Sequence, residues 1–348
     1  MTSFKDMVFT PAEFAMIAKL DKTNVPQLEI DGKLTTTRRK IGNVERKVIS
    51  LEDMQRYFQN LRWSSTGLGA VAGDRPYPIE SHTADAVAAA TGFNLEAPRH
   101  KTQMFYNVKG GTGKSTLTAQ YVMRAAMMGY RVLAIDLDGQ GHLTVNLDIL
   151  DAHERPTVYD VLINDLPMSQ AIMNVAPCLD LVPANLGLCN IEIPLNNKPR
   201  REYRLGEAIA KIWDQYDLIV ADTNPAASIL NGSMLVASEL VNVVCATNPL
   251  SFHGMSLVMA TIEEMQREFQ RDLDVKIIPN MYDNREVISQ EVLGELRSQF
   301  VEYCAKTVMN RSADINEATK RRTTVWDVNS KGVAAQDVNS LTEELLFT

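Results

Sequence analysis

The sequence predicts an α/β protein, a mostly parallel sheet with helices on both faces, preceded by a small basic unit. Three observations carry this. Beyond residue 100, short apolar runs suited to strands alternate with stretches of helical spacing, as βαβ units require. The first of those runs, "QMFYNV", passes through a glycine-rich turn directly into a helical pattern. A composition break over residues 64–92, dominated by Gly, Ala, Pro, Ser and Thr, sets about sixty residues apart from the rest.

The front unit, residues 1–63, predicts helix, turn, helix, basic hairpin, helix. Thr10-Pro11 opens the first helix, whose inner stripe is Phe14, Ile17 and Ala18. A second helix begins near Thr23 or Asn24, both suited to an N-cap, with Pro26 in the tolerant first turn. Between Lys33 and Lys47 stand Lys33, Arg38, Arg39, Lys40, Arg46 and Lys47 against the single acid Glu45, with Gly42-Asn43 marking a hairpin tip. Ser50 then caps a helix carrying Leu51, Met54, Tyr57, Phe58 and Leu61 at helical spacing. This order resembles the winged helix-turn-helix of MerR-like regulators. The resemblance implies that Asn24 and Gln27 reach base edges while the hairpin contacts phosphate, although Glu29 and Asp31 make the second helix less basic than usual.

Residues 64–100 form the expected hinge, with one short helix in "SHTADAVAAAT", and 101–348 the main domain. There "QMFYNV", "RVLAID", "LDLVPA", "DLIVAD", "LVNVVCAT" and "DVKIIPN" are the strands, with helices over about 114–128 and around "RLGEAIAKIWDQY". Lys109-Gly110-Gly111-Thr112-Gly113-Lys114-Ser115-Thr116 lies between the first strand and the first helix. Glycines there let backbone N–H groups crowd round phosphates, and the helix N-terminus adds partial positive charge. Lys114 would bridge the terminal phosphates and the Ser115 hydroxyl would ligate Mg²⁺, as in a P-loop NTPase fold. Asp136 and Asp138, at i and i+2, share a face if the strand continues, and Asp222 ends another strand.

With Lys109 in the loop, "DLDGQGHLT" at 136–144 and "YDLIVADTNP" at 216–225, residues 102–348 resemble the ParA family of partition ATPases, within the deviant Walker A group that includes MinD and the nitrogenase iron protein. The front unit is similar to the N-terminal domain of the longer plasmid ParA proteins. The resemblance implies an ATP-sandwich homodimer in which Lys109 reaches the partner's nucleotide, Asp138 positions the attacking water, Asp136 supports the Mg²⁺ water shell and Asp222 is the Walker B carboxylate. It implies slow ATP hydrolysis stimulated by a ParB-like partner, non-specific nucleoid DNA bound by Lys320, Arg321 and Arg322, an operator bound by the front unit, and autorepression. Asn280 is the candidate adenine contact. Gly139, His142 and Asn224 depart from the family's Pro, Asn and Pro, which bears on rate and coupling.

Other classes are less well matched. A positioning ATPase for a protein cargo would use the same engine, and a transcriptional regulator with a vestigial ATPase fold is opposed by intact Lys109, Lys114, Ser115, Asp138 and Asp222. The net charge of −8 argues against a general nucleic-acid coat, yet residues 1–62 carry eleven Lys/Arg against eight Asp/Glu. No run of about 18 apolar residues appears, and the acidic ending "DVNSLTEELLFT" speaks against a membrane partner; a cytoplasmic, nucleoid-associated protein is expected. Cys178, Cys189, Cys245 and Cys304 form no C-x-x-C pair and are expected as free buried thiols. The five histidines lack metal-ligand spacing.

Overall fold

The computed structural model describes residues 3–41, 44–66 and 97–347. Most of the expected hinge, its short helix over 81–91 and the hairpin tip Gly42-Asn43 lie outside the described residues.

The main sheet has seven strands: β4 (Thr102–Tyr106), β5 (Val132–Asp136), β6 (Met173–Ala176), β7 (Leu179–Val182), β8 (Leu218–Asp222), β9 (Leu240–Ala246) and β10 (Asp274–Asn280), in the order β10-β9-β4-β8-β5-β7-β6. Every position of β4, β5, β8 and β9 is buried, because helices cover both faces; this is why these strands read as unbroken apolar runs. All neighbours pair in parallel except β6, which runs antiparallel to β7 at the edge. "MNVA" gave no strand signal, being four residues long, half exposed and bulged between Asn174 and Ala176.

Two cores fill the two faces. One gathers the helix Lys114–Met127, the last helix Val333–Phe347 and the front unit; the other gathers the helices Arg204–Ala210, Ile229–Ala237, Met255–Phe269 and Val287–Gln299. The helix expected over 204–216 stops at Ala210 and continues as a 3-10 turn, Trp213–Gln215.

In the front unit, β2 (Thr37–Ile41) and β3 (Val44–Ser50) pair as the expected hairpin, and a two-residue β1 (Val8–Phe9) adds to β3, giving the order β1-β3-β2. The helix Pro11–Ile17 carries a full capping box: Thr10 Oγ1 accepts from Glu13 N at 3.3 Å, and Glu13 accepts from Thr10 N at 2.7 Å. The second helix starts at Val25, after a 3-10 turn Lys22–Asn24. Asn24 makes no side-chain cap; the nearer cap is Asp21, which accepts from Thr23 N at 2.8 Å and so starts the turn earlier. Phe14, Ile17 and Ala18 are buried, and Phe14 meets Tyr57 of the helix Leu51–Thr66 edge to face at 5.2 Å.

The front unit does not stand clear of the body. Most of its buried apolar residues belong to the same cluster as the helices Lys114–Met127 and Val333–Phe347, and Arg124, fully buried, joins Asn339 Oδ1 at 2.6 Å to Ile17 O at 3.4 Å.

Candidate functional site

The carboxyl ends of β4, β5 and β8 open on one side of the sheet, where β4 lies between β8 and β9 and chain order reverses. Asn107, at the end of β4, donates to Val244 O at 2.8 Å and accepts from Lys109 N at 2.9 Å, pinning the first turn of the loop to β9. Gly111 and Gly113 take φ of 75° and 90°, where other residues are strained. A Cβ on Gly113 would lie 2.5 Å from Asn280 Nδ2, whereas one on Gly110 or Gly111 would meet nothing within 4 Å. The loop is thus closed behind and open in front, where its N–H groups can meet an anion.

Lys114 opens the 14-residue helix at 7 % exposure. Burial lowers its ammonium pKa while Asp222 and Asp138 hold it up. Asp136 and Asp222 are register partners on β5 and β8. Asp222 is fully buried; its Oδ1 accepts weakly from Thr118 Oγ1 at 3.4 Å and its Oδ2 has no hydrogen-bond partner. Burial, then the neighbouring Asp136 charge, pushes its pKa up to about 8, against the pull of the Ser115 hydroxyl and Lys114. Burial also raises Asp136, but Thr144 Oγ1 at 2.7 Å, Thr144 N at 2.8 Å and Asp138 N at 3.1 Å all donate to it. Strand pairing ends at Asp136; beyond it Asp138 accepts from Gln140 N at 2.9 Å, and its charge, like that of Asp136, acts on Asp222.

These residues fit a magnesium triphosphate. A buried carboxylate oxygen without a donor, the Ser115 hydroxyl beside it and the unpartnered Thr112 hydroxyl are hard oxygen ligands, and Lys114 with the open glycines supplies the matching positive face.

Asn280 proves to be a loop support as well as a wall: its Nδ2 donates to Thr112 O at 2.7 Å. It also lines a cavity of about 360 Å³ beside Gly113 and Thr116, closed by Met281, Asn310, Arg311 and Ser312. No spacing along the chain singles out these last four, nor Asn107; the segments near 280 and 310 meet through the pairing of Tyr282 with Asn310 and the bond from Met309 N to Pro279 O at 2.9 Å.

The basic residues scatter. Arg38, Arg39, Lys40, Arg46 and Lys47 are exposed along the hairpin, as are Asn24 at the end of the 3-10 turn and Gln27 on the second helix. Glu29, which had counted against a DNA role, pairs with Lys47 and accepts from Thr36, so it ties helix to hairpin. Lys33 pairs with Asp31 at 3.6 Å, and Gln27 donates to Asp31 at 2.7 Å. Lys320 and Arg321 both turn to Glu317, while Arg322, at φ 55°, pairs with Asp148 at 2.7 Å, so the triplet does not present one face. Of the four free cysteines only Cys245 is fully buried; Cys189 is exposed, against expectation, and its Sγ would stand 2.3 Å from a Cβ on Gly139. Among the described residues no helix is long and apolar enough to cross a membrane.

A family model described as AAA domain (AAA_31) matches residues 100–275. The cell division protein PomZ of Myxococcus xanthus is 33 % identical over 71 % of this chain and 78 % of its own length. The chromosome partitioning protein ParA of Caulobacter vibrioides is 32 % identical over 61 % and 81 %. Among solved structures, cobyrinic acid a,c-diamide synthase of Mycobacterium smegmatis with bound ATP analog and magnesium is 28 % identical, covering 64 % of this chain and 92 % of that one, at a TM-score of 0.57. With the phosphate loop, its carboxylates and these relatives together, the chain belongs to the ParA/Soj family of partition ATPases.

Proposed function

We propose that this chain is a Mg²⁺-dependent ATPase that partitions DNA by switching between a nucleotide-free monomer and an ATP-sandwich homodimer. The observation that carries the reading is the convergence of Lys109, Lys114, Ser115, Asp136, Asp138 and Asp222 on the ends of three adjacent parallel strands. Ser115 and Asp222 would hold Mg²⁺, with Asp136 behind its waters. Bound Mg²⁺ neutralises charge on the triphosphate. Lys114 holds phosphate oxygens in cis and Lys109 those of the partner in trans. Asp138 orients water for attack and receives its proton. The dimer binds nucleoid DNA, a ParB-like protein speeds hydrolysis, and the front unit, read as a winged helix-turn-helix over 1–63, binds an operator. A second reading, positioning of a protein cargo by the same cycle, is favoured by the likeness to PomZ, a cell division protein.

The test is binding to random-sequence duplex with no nucleotide, ADP or a slowly hydrolysed ATP analogue across a salt series. Partition predicts binding with the analogue only; binding indifferent to nucleotide would sink the dimer cycle. Replacing Arg38, Arg39 and Lys40 by glutamine is expected to weaken operator binding and lower the slope of log K against log salt by about 2–3, since each lost phosphate contact removes about 0.9. An unchanged slope would remove the hairpin from the interface.

Proton linkage tests the metal assignment. Burial and the neighbouring Asp136 carboxylate raise the Asp222 pKa and so favour its protonated form, yet only the carboxylate binds Mg²⁺. Loading Mg²⁺ with nucleotide should therefore release about one proton, and affinity should rise with pH between 6 and 8. Titration calorimetry in buffers of different ionisation enthalpy measures this, and Asp222→Asn should remove the release.

A further inference from the structure

The turn that carries Asp138 is seated on the stretch that follows β7. Asp138 Oδ1 accepts from Gln140 N at 2.9 Å, so the peptide between Gly139 and Gln140 aims the carboxylate and leaves Oδ2 for water. Gly141 N closes the turn on Asp138 O at 2.8 Å. Gly139, unlike Gly141 at φ 65°, does not use the left-handed region, so its lack of a Cβ answers to space alone. A Cβ there would overlap Cys189 Sγ and lie 2.9 Å from Cys189 N. Cys189 has little room to retreat. It sits in the 3-10 turn Leu186–Asn190, which Asn185 caps by accepting from Gly187 N at 3.0 Å and pins by donating to Ala152 O at 3.1 Å. Leu188 and Ile191 are buried, and Glu192 accepts from Ile229 N at 2.8 Å and Leu230 N at 3.4 Å, at the head of the helix that follows the Asp222 loop. At the other end of the stretch, Thr144 Oγ1 accepts from Ala184 N at 3.0 Å and donates to Asp136 Oδ2 at 2.7 Å.

We propose that residues 184–192 brace both the Asp138 turn and the loop after Asp222, and that Cys189 is the positioning residue whose packing against the bare Cα of Gly139 sets where the Asp138 carboxylate points. With a Cβ at residue 139, the peptide between 139 and Gln140 has to swing away from Cys189, and the Asp138 oxygen bonded to it follows. The loop over 109–116 touches neither residue of this pair through a Cβ at 139, so triphosphate binding stays in place while water is misdirected. This rests on the reading that Asp138 orients the attacking water.

The experiment is a double-mutant cycle on the full chain with Mg²⁺: wild type, Gly139→Ala, Cys189→Ala and the double variant, with Asp138→Asn as reference, each read by equilibrium binding of ATP and by single-turnover hydrolysis. Gly139→Ala is expected to bind ATP within about threefold of wild type and to hydrolyse it ~10–10²-fold more slowly, as a misplacement of about 1 Å costs. Cys189→Ala, which removes the overlapping Sγ, should slow wild type by about threefold yet speed Gly139→Ala by at least ~3-fold, a reversal of sign that only contact between the two residues gives. It is a small change at an exposed position, so its own loss of rate at unchanged ATP binding carries the test if Gly139→Ala does not fold. Gly139→Ala that hydrolyses like wild type, a double variant no faster than Gly139→Ala, or variants that lose ATP binding and rate together would overturn the brace; an inactive Asp138→Asn in the same series leaves the reading of Asp138 standing. Asp138→Asn that hydrolyses like wild type would overturn that reading, and the brace with it.

Discussion

Lys109→Ala is expected to bind Mg²⁺·ATP within about threefold of wild type and to lose ATP-dependent dimerisation together with at least ~10²-fold of its hydrolysis rate. The two lysines of the loop are held differently. Lys114 is buried at the head of its helix between Asp222 and Asp138, so it belongs to the chain's own nucleotide. Lys109 is only half buried; its backbone N–H is anchored by Asn107, and among the described residues its ammonium has no ion pair. A cation so placed contributes little to binding in cis, but it can meet phosphoryl charge brought by a second copy, where an inserted cation is worth several orders of magnitude in rate. Light scattering after size exclusion and phosphate release would be measured for wild type, Lys109→Ala and Lys114→Ala. Lys114→Ala should fail at nucleotide binding itself. If Lys109→Ala dimerises and hydrolyses like wild type, the sandwich reading is wrong.

That prediction could be framed from the sequence because phosphate chemistry imposes local spacing. Lys109 to Thr116 must be contiguous, and Asp136 and Asp222 must end buried strands, so each announces itself in a short window. The same holds for the Thr10 and Ser50 caps, which act over three residues. What the sequence left dark depends on distant partners. The antiparallel edge strand β6 exists because β7 offers it a free side. The cavity beside Gly113 forms where residues near 280 pair with residues near 310. The composition break after residue 63 suggested a hinge between separate bodies, yet nothing local could show that the helix before it packs onto the main domain.

Gly129→Ala tests that packing and is expected to lower stability by about 2–4 kcal/mol and to split one unfolding transition into two. Gly129 follows the helix Lys114–Met127 with φ 78°, a left-handed position that costs an alanine roughly 1 kcal/mol. The larger part is steric. A Cβ there would lie 2.8 Å from Gln55 O and 3.1 Å from Gln59 Cγ, so the helix Leu51–Thr66 must move off. That helix supplies donors to carbonyls at the end of the loop helix: Gln55 to Ala126 O at 3.0 Å, Gln59 to Gly129 O at 3.2 Å, and Arg62 to Met128 O at 3.0 Å, with the Arg62 guanidinium 3.6 Å over the Tyr130 ring. Displacing it removes those side-chain donors and opens the shared core. Gly129→Asn separates the causes, because asparagine tolerates the left-handed backbone but still carries a Cβ. Urea unfolding followed by proteolysis of the front unit and by circular dichroism of the body should show coincident transitions in wild type and separate ones in both variants. If Gly129→Asn behaves as wild type, backbone strain alone is at issue; if both do, the front unit is tethered, not packed. Since the loop helix runs from the phosphate loop to this joint, a front unit released by Gly129→Ala should also bind the operator proposed for it with the same affinity whether or not nucleotide is present.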